Sequence, residues 1–573
     1  MTASDRAAGE ALTARPDITA AVPSSGFGAF VARARAAGTL VVQPRMGMAD
    51  PLRMRDGLIA TRDADAVTVG TITLDSYTRT GDLAAARRAL DEGVGLNGYP
   101  IATHPADTTR AVLRGVADAR FPVQVRHGSA MPEHIVRALL ALGLDATEGG
   151  PVSYCLPYSR TPLREAVANW QRSCELLASA AEFGAEPHLE TFGGCLMGQL
   201  CPPSLLIAVS VLEALFFRQH GLRSLSLSYA QQADPRQDEE ALTVLGRLAG
   251  ELLPDVDHHL VLYAYMGVFP RSPGGARLLL EDAARLAVRA SADRLIVKTT
   301  AEAHRIPTVG ENIRALETAA AAAADERAGR RRAEASGGHL SYAGLQDPGL
   351  QDPGFQDPGL QHTGLQHTDL PHTHPQHTHL QHRHLLHTGF QHTDTGPDGI
   401  RSADAGPAGI RHTGIGQTGI GPAGIRHTGI QRADVQDTGI EAEARALIGA
   451  VLELDADIGR ALVRAFAAGY LDVPYCLHPD NAGRARTSLA PDGRLLWSSI
   501  GSMPIAGLAD DGPRPPILGS AGLISALSQV QRTYDARAET QCAVGGAPDT
   551  PRTSVPPRTT PTHRRELGLQ HDH

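Results

Sequence analysis

The chain has 573 residues and a formal net charge of −9, with a sequence pI near 6.3. This acidic balance excludes the extended basic surface of a general nucleic-acid-binding protein. No run of about 18 or more apolar residues occurs and the N-terminus has no signal-peptide pattern, so neither a membrane span nor secretion is predicted. The six cysteines form no C-x-x-C pair, which is typical of unpaired thiols in a cytoplasmic protein.

Composition divides the chain into five segments. Residues 1–24 are polar and alanine-rich and predict a disordered tail, whereas residues 25–325 alternate short apolar runs with amphipathic stretches and predict one large domain. Residues 326–440 contain a five-residue repeat, and residues 441–535 return to a globular pattern. Residues 536–573 are rich in threonine, proline and arginine and predict a second disordered tail.

The alternation in the large domain predicts a parallel sheet of the α/β class, and eight or nine strand–helix units predict a (β/α)8 TIM barrel. One helix is clear: Thr161 can cap it, Pro162 suits its first turn and Gly184 can end it. Nine strand candidates are one too many for such a barrel, so one of them is expected to lie outside it. The candidates are Leu40–Gln43, Ala66–Thr73, Val94–Asn97, Pro122–Arg126, Asp145–Glu148, Pro187–Glu190, Leu225–Tyr229, Leu260–Tyr265 and Leu295–Lys298.

The five-residue repeat runs from Gly344 to Ile440, beginning GLQDP-GLQDP-GFQDP and later reading GIRHT and GIGQT. Ten histidines lie between His362 and His392. One interpretation is a pentapeptide β-helix with leucine or isoleucine inside at every fifth residue. The free variation of the neighbouring proline, glycine and aspartate favours the other, a disordered low-complexity insertion with solvated histidines. After the repeat, Asp492-Gly493 predicts a hairpin turn within a C-terminal α+β extension packed on the barrel.

The stretch TEGGPVSYCLPYSR, residues 147–160, combines one carboxylate with two phenols. Two glycines follow Glu148, so the backbone there can turn sharply and approach a ligand. Glu148, Tyr154 and Tyr158 can hydrogen-bond a small polar molecule. Glycine, proline and tyrosine also mark any ordered loop, so this stretch by itself leaves both interpretations open.

Polar residues at strand ends favour the binding-site interpretation, because the chemistry of a TIM barrel lies where its strands end. A single arginine there is most often part of a surface ion pair. Several guanidinium groups, each able to grip a carboxylate with paired hydrogen bonds, together predict a pocket for an acidic amino acid whose ammonium meets Glu148. The residues at or just past candidate strand ends are Arg45, Arg79, Asn97, Arg126, Glu148 and Lys298.

A series of short motifs occurs in one order along the chain: QPRMG, TLDSYTR, LNGYP, VRHG, EGGPVSYCLPYSR, FPRS and IVKTTAEAHRIPT. The series resembles the glutamate mutase (methylaspartate mutase) epsilon chain over about residues 25–320, and through YLDVP and DNAG over about residues 441–510. The resemblance implies a TIM-barrel catalytic subunit of an isomerase that uses adenosylcobalamin. The implied reaction interconverts L-glutamate and (2S,3S)-3-methylaspartate by a radical carbon-skeleton rearrangement.

The matching motifs also imply functional residues. The implied contacts to the substrate carboxylates are Arg45, Arg79 and Arg126. The other implied substrate contacts are His127, Glu148, Tyr154 and Tyr158. The implied contacts to cobalamin and its adenosyl group are Gly47, Asn97, Pro157, Phe269, Lys298, Glu302 and Ile306.

The chain contains no D-x-H-x-x-G motif. In the family that it resembles, this motif belongs to a small Rossmann-like sigma subunit and supplies the histidine ligand of cobalt. The resemblance therefore implies that this chain provides no metal ligand. It also implies an assembly of two epsilon and two sigma subunits, with the cofactor held between unlike chains.

The sequence departs from the family pattern in three places. Tyr229 is followed by Ala230 rather than by glycine, and Tyr263 opens the triplet that replaces His-Gln-Trp before Met266. An arginine near Glu190 is missing. These departures leave the three arginines intact but concern the geometry around cofactor and substrate.

Two other functions fit parts of the sequence. Lys298, at the end of LIVK, stands where a Schiff-base aldolase would place its lysine. A non-catalytic barrel paralogue that binds an acidic amino acid is the second alternative, and the departures in the loops favour it. The retained arginines and the Lys298–Glu302 pair argue against that second alternative.

Overall fold

The computed structural model describes residues 26–197, 200–335, 439–490, 492–505, 525 and 527–544. The predicted tail at residues 1–24, nearly all of the repeat and most of the second predicted tail lie outside these described residues.

Eight parallel strands form the wall of a barrel. They are β1 (Val41–Gln43), β2 (Gly70–Thr73), β3 (Val123–Arg126), β4 (Ala146–Gly149), β5 (His188–Thr191), β6 (Ser224–Ala230), β7 (Asp257–Tyr263) and β8 (Arg294–Ile296). The sheet order is β1-β8-β7-β6-β5-β4-β3-β2. A parallel bridge between Val42 and Thr68, just before β2, joins the two ends and closes the barrel. The predicted TIM barrel is thereby confirmed.

Helices alternate with these strands. They are α1 (Phe27–Ala36), α2 (Pro51–Arg62), α3 (Ser76–Thr80), α4 (Leu83–Asp91), α5 (Ala106–Leu113), α6 (Glu133–Ala141), α7 (Leu163–Ala178), α8 (Pro203–Gln219), α9 (Pro235–Leu252), α10 (Pro273–Arg289) and α11 (Val309–Ala335). Side chains of Asp50, Asp75 and Asp234 accept backbone N–H groups where α2, α3 and α9 begin. Within the described residues the cysteines are free and buried, as predicted, and no helix is long and apolar enough to cross a membrane.

The ninth strand candidate, Val94–Asn97, is wrong. Gly93 takes a positive φ of 67°, and the N–H of Val94 donates to the carbonyl of Ala89 at 2.8 Å, which ends α4. The segment then continues as a loop, and the side chain of Asn97 accepts a hydrogen bond from the N–H of Ser76 at 3.0 Å. Glycines on both sides of Val94 allow this loop conformation, so the β-branched side chain of Val94 does not by itself indicate a strand.

A polar layer crosses the interior of the barrel. Its centre is Arg294, whose side chain is fully buried and donates to Glu190 and to Gln43 from opposite strands. Gln124 accepts from Arg294 at 3.3 Å, and Ser226 accepts at 3.1 Å. A buried charge needs such a complete set of partners. The layer therefore fixes the floor beneath the carboxyl ends of the strands.

The C-terminal region packs on the outside of the barrel. It consists of α12 (Ile440–Leu452), α13 (Ile458–Ala468), the antiparallel strands β9 (Arg486–Leu489) and β10 (Leu495–Ser499), and α14 (Gln529–Val544). The first two of these helices contact α8, and the last contacts α10. The Asp492-Gly493 turn is confirmed, with Gly493 at a φ of +91° and its N–H donating to the carbonyl of Ala490.

Two segment boundaries drawn from composition fall inside helices. The boundary at residue 325 lies within α11, and the boundary after residue 535 lies within α14. Asp535 accepts hydrogen bonds from the backbone N–H and the hydroxyl of Ser272 at 2.9 and 2.6 Å, and Ala538 is buried. These tertiary contacts order a segment whose composition alone predicted disorder for residues after 535.

Candidate functional site

The candidate site lies at the carboxyl ends of the barrel strands. Arg126 is the last residue of β3, Glu148 lies in β4 and Tyr263 is the last residue of β7. Arg79 lies in α3, soon after β2, and Lys298 follows β8 by two residues. Because the strands are parallel, these ends open onto one face of the barrel.

Glu148 is the centre of the site. Its Oε2 accepts hydrogen bonds from Arg126 Nε at 2.7 Å and from the Tyr263 hydroxyl at 2.9 Å, and its Oε1 accepts one from the Tyr154 hydroxyl. Burial lowers the pKa of Arg126, but the Glu148 carboxylate opposes this effect, and the resulting pKa is well above its ordinary value. Arg126 is therefore charged, and its hydrogen bond to Glu148 is of the strong, charge-assisted kind.

Three buried nitrogen atoms at the mouth, Arg126 Nη1, Arg79 Nε and His127 Nε2, have no hydrogen-bond partner among the described residues. Burial lowers the pKa of His127 to about 3, and both guanidinium groups lower it further because they lie nearby. The imidazole is therefore neutral. Its Nδ1 accepts from the N–H of Ser129 at 2.9 Å, so its Nε2 carries the hydrogen. Buried donors without acceptors are costly, and three together suit the anionic groups of a ligand.

The turn after β4 sets the position of Tyr154. Gly149 has a φ of +132°, a conformation that favours glycine, and a Cβ on Gly150 would lie 2.0 Å from Glu213 Oε1. Glu213, buried on α8, accepts from the N–H of Ser153 at 2.8 Å and from its hydroxyl at 3.0 Å. The two glycines were predicted to let the backbone approach a ligand, whereas in the structure Gly150 approaches the buried carboxyl group of Glu213, which braces the turn.

Aromatic rings line this side of the pocket. The Tyr154 ring meets the His127 ring edge-on with centroids 5.3 Å apart, and meets the Tyr158 ring in the same way at 6.2 Å. Tyr158 is 50% exposed and Pro157 is partly buried beside it. The Tyr154 hydroxyl is thus buried inside the pocket, whereas the Tyr158 ring is accessible at its entrance.

A second polar cluster lies after β8. Lys298 Nζ donates to Glu302 Oε1 at 2.7 Å and lies 5.5 Å from the centre of the Phe269 ring. Arg45, about half exposed, reaches the same carboxylate oxygen at 3.5 Å. Burial lowers the pKa of Lys298, while Glu302 opposes this shift. Burial lowers the pKa of Arg79 as well, and the charge of Arg45 adds to the lowering of the pKa of both Arg79 and Lys298.

The remaining residues predicted for the cofactor lie around the rim of the mouth. A Cβ on Gly47 would lie 2.1 Å from the carbonyl oxygen of Thr73, so the first loop packs directly on β2. Asn97 uses its side-chain oxygen to hold the start of α3, and Ile306 is exposed. Their contacts to a cofactor stay predictions.

The sequence did not predict Tyr263, Glu190 and Arg294 as parts of the site. Tyr263 was noted only as a departure, yet its hydroxyl contacts both Glu148 and Glu190. Glu190 forms an ion pair with Arg294, the first residue of β8. The position of Tyr263 at the carboxyl end of β7 was an available signal, but which side chains face inward became clear only in the closed barrel.

The fold places this chain among the (β/α)8 barrel proteins, whose functional sites lie at the carboxyl ends of the strands. A family model described as "Methylaspartate mutase E chain (MutE)" matches residues 22–329 and 426–514. The chain belongs to this family.

Individual relatives agree with the family model. The chain is 34% identical to the "Glutamate mutase epsilon subunit" of Desulfitobacterium hafniense over 309 residues, covering 52% of this chain and 62% of that one. It is also 34% identical to the protein of the same name from Haloarcula marismortui, covering 48% of this chain and 58% of that one. The matched region thus spans about three fifths of these curated relatives.

Proposed function

We propose that this chain is the catalytic subunit of an adenosylcobalamin-dependent mutase that interconverts L-glutamate and (2S,3S)-3-methylaspartate. Family membership supports the mutase class. The observation that carries the substrate is the set of buried, unpartnered donors on Arg79, Arg126 and His127 beside the Glu148 carboxylate. That combination suits a molecule with two carboxylates and one ammonium group.

Each part of the pocket has a defined task in this proposal. The free Nη1 of Arg126 and Nε of Arg79 bind the substrate carboxylates, with Arg45 completing the set at the entrance. Guanidinium groups fix both the distance and the plane of a carboxylate. Glu148 receives the ammonium, while neutral His127 donates a further hydrogen bond. This fixed orientation lowers the entropic part of the barrier.

The residues at the rim fit the proposed cofactor. Buried Lys298 and partly buried Glu302 present a donor and an acceptor for ribose hydroxyls, and Phe269 lies beside Lys298. Ile306 and Tyr158 are exposed and supply apolar surface. Gly47, Asn97 and Pro157 complete this edge of the mouth. When bound, adenosylcobalamin supplies the carbon radical that begins the rearrangement. The chain itself orients the substrate and keeps water away from it.

A sigma subunit is the proposed partner. Large apolar side chains are exposed on segments that follow the barrel strands, namely Leu52, Tyr77, Val94, Tyr158 and Ile306. Leu477 is 81% exposed, and its neighbour Cys476 donates to the carbonyl of Leu156 in the loop after β4. We call these six residues the apolar rim. Exposed apolar surface around a pocket indicates a binding partner, and two chains of each kind are proposed.

A Schiff-base aldolase is the second candidate, because burial lowers the pKa of Lys298. Glu302 holds the same ammonium group at 2.7 Å, which favours its charged form and opposes nucleophilic attack. Family membership and this ion pair favour the mutase. Borohydride trapping of a carbonyl substrate on Lys298 would support the aldolase instead.

The deciding experiment mixes the chain with a sigma subunit and adenosylcobalamin and follows 3-methylaspartate formed from L-glutamate by NMR. We expect product only when all three components are present. The omission of each component in turn is the control. No product from the complete mixture, with a folded chain that binds the sigma subunit, would contradict the proposed reaction.

A further inference from the structure

Tyr263 places one hydroxyl between two buried carboxylates. Its oxygen lies 2.9 Å from Glu148 Oε2 and also contacts Glu190 Oε1. Arg126 Nη2 donates to the same oxygen at 3.0 Å. The ring is held by the Arg126 guanidinium, whose carbon lies 5.0 Å from the ring centre, and by an edge-on contact with Phe192 at 5.5 Å.

The hydroxyl has more acceptors than protons. A phenol carries one hydrogen, so it can donate to Glu148 or to Glu190 but not to both. Burial raises the pKa of Tyr263 well above its ordinary value, so the phenol stays protonated. The lone pairs on its oxygen are available to Arg126. Two arrangements of one hydrogen therefore fit the same heavy-atom positions.

The two carboxylates are not equivalent. Glu190 belongs to the polar layer, where its Oε2 also accepts from Gln124 at 3.1 Å and from Arg294. Glu148 stands one strand away, beside the unpartnered donors of the candidate site. Glu190 is therefore a fixed acceptor, whereas Glu148 is the carboxylate that an incoming ammonium group can reach.

We propose that Tyr263 is a positioning residue that donates to Glu148 before substrate binds and to Glu190 once the substrate ammonium has taken its place on Glu148. This inference deepens the proposed function and rests on it for the identity of the ammonium. Each arrangement keeps both carboxyl groups in place. Without the hydroxyl, the two buried carboxyl groups lose the donor that they share, although Arg126 still donates to Glu148 and Arg294 to Glu190. The loss of that donor disfavours two neighbouring negative charges and promotes protonation of one of them.

The test is Tyr263→Phe, which keeps the ring and removes the hydroxyl. Other charged or titratable groups face this site and remain in the variant; they are Arg126, Tyr154, Cys195, His259 and Arg294. Tyr99→Phe is the matched control, because Tyr99 is equally buried and its hydroxyl bonds only the neutral Thr109, at 2.7 Å. Both variants are compared with the wild type by thermal unfolding and by kinetics across pH.

The carboxyl that loses its donor acquires a raised pKa, so its ionised form destabilises the fold above that pKa. We therefore expect the Tm deficit of Tyr263→Phe to be largest at high pH and to narrow as pH falls, while the deficit of Tyr99→Phe stays constant. With the sigma subunit and adenosylcobalamin, Tyr263→Phe should lose about 10- to 100-fold in kcat/KM, mainly through KM. As pH decreases, the activity of Tyr263→Phe should also begin to fall at a higher pH than the activity of the wild type.

The two readouts separate this inference from the proposed function. If Tyr263→Phe shows the pH-dependent Tm deficit but the wild-type chain forms no methylaspartate, the role of the hydroxyl between the two carboxyl groups stands and the proposed reaction is overturned. If the wild type turns over glutamate and Tyr263→Phe has the same kinetics and the same pH profile, the positioning role is overturned. A constant Tm deficit like that of Tyr99→Phe would overturn it as well.

Discussion

Arg126 and Glu148 form a buried ion pair, with Nε and Oε2 2.7 Å apart, in which the arginine keeps one nitrogen without a partner among the described residues. Arg126 is charged before any ligand arrives. It therefore both holds Glu148 in place and presents Nη1 to the pocket. A point charge could do the first task but not the second.

Arg126→Lys should consequently lose most turnover while the fold survives. Lysine can still pair with Glu148, but it cannot also donate to Tyr263 and to a substrate carboxylate in one plane. We expect kcat/KM for glutamate to fall roughly 100-fold, as misplacement of a bound substrate typically costs. Steady-state kinetics with circular dichroism as a folding check would measure this.

The matched control is Arg172→Lys. Arg172 also pairs with a glutamate through Nε, at 2.8 Å from Glu133, but it is half exposed on α7 and away from the mouth. It should retain wild-type kinetics. Equal rates for Arg126→Lys and the wild type would show that the arginine assignment is wrong.

Glu213 should make stability depend on pH. Burial raises its pKa from 4.5 to about 7, so its proton is held more tightly in the folded than in the unfolded chain. The contribution of Glu213 to the free energy of unfolding is complete below the unfolded pKa. That free energy decreases by ~3 kcal/mol as pH rises through the folded pKa. Glu213→Gln should flatten the fall in Tm between about pH 4.5 and pH 7.

Asp238 provides the comparison for that experiment. It is a second buried carboxyl with a pKa raised by burial, to about 8, and it accepts from the Tyr229 hydroxyl at 2.9 Å. Asp238→Asn should leave unchanged the part of the dependence of Tm on pH that comes from Glu213. If Glu213→Gln melts with the same pH dependence as the wild type, Glu213 is not protonated in the folded state.

The apolar rim should bind the sigma subunit. Leu477→Asp places a charge on its most exposed member, and we expect the Kd for the sigma subunit to rise about tenfold, since a charge at the centre of an interface must be desolvated. Phe183→Asp is the control, because Phe183 is exposed just before β5, at the opposite end of the barrel. Calorimetric titration would compare the two. A larger effect at Phe183 would place the partner elsewhere.

Sequence predicted the frame of the site well because strand ends in a parallel barrel converge by geometry alone. Arg126 and Glu148 lie 22 residues apart and meet on adjacent strands. Tyr263 was missed because its partner Glu148 is 115 residues away, across the barrel. Nothing in local periodicity shows which side chains cross a closed barrel. Val94–Asn97 failed for a local reason, since apolar content cannot distinguish a strand from a glycine-flanked loop.

The proposed cofactor should bind only when two chains enclose it. The isolated chain offers Lys298 and Glu302 for the adenosyl side but contains no D-x-H-x-x-G sequence. We therefore expect weak binding of adenosylcobalamin by this chain and tight binding after the sigma subunit is added.

The histidines of the barrel support that expectation. His188 and His259 are buried, and burial holds the pKa of each well below its ordinary value. His188 already contacts the hydroxyls of Ser224 and Ser226 at 2.8 and 3.0 Å. His127 lies beside the substrate pocket and directs its hydrogen-bearing Nε2 there. None of the three is placed to leave the barrel and reach a cobalt ion.

Electron paramagnetic resonance of reduced cobalamin measures the axial nitrogen directly. We expect no protein nitrogen on cobalt with this chain alone, and one histidine nitrogen after the sigma subunit is added. Lys298→Ala should weaken binding to the pair of chains without changing that nitrogen signal, because Lys298 acts on the adenosyl side. Tight binding by this chain alone, with a protein histidine on cobalt, would refute the division of the cofactor between two proteins.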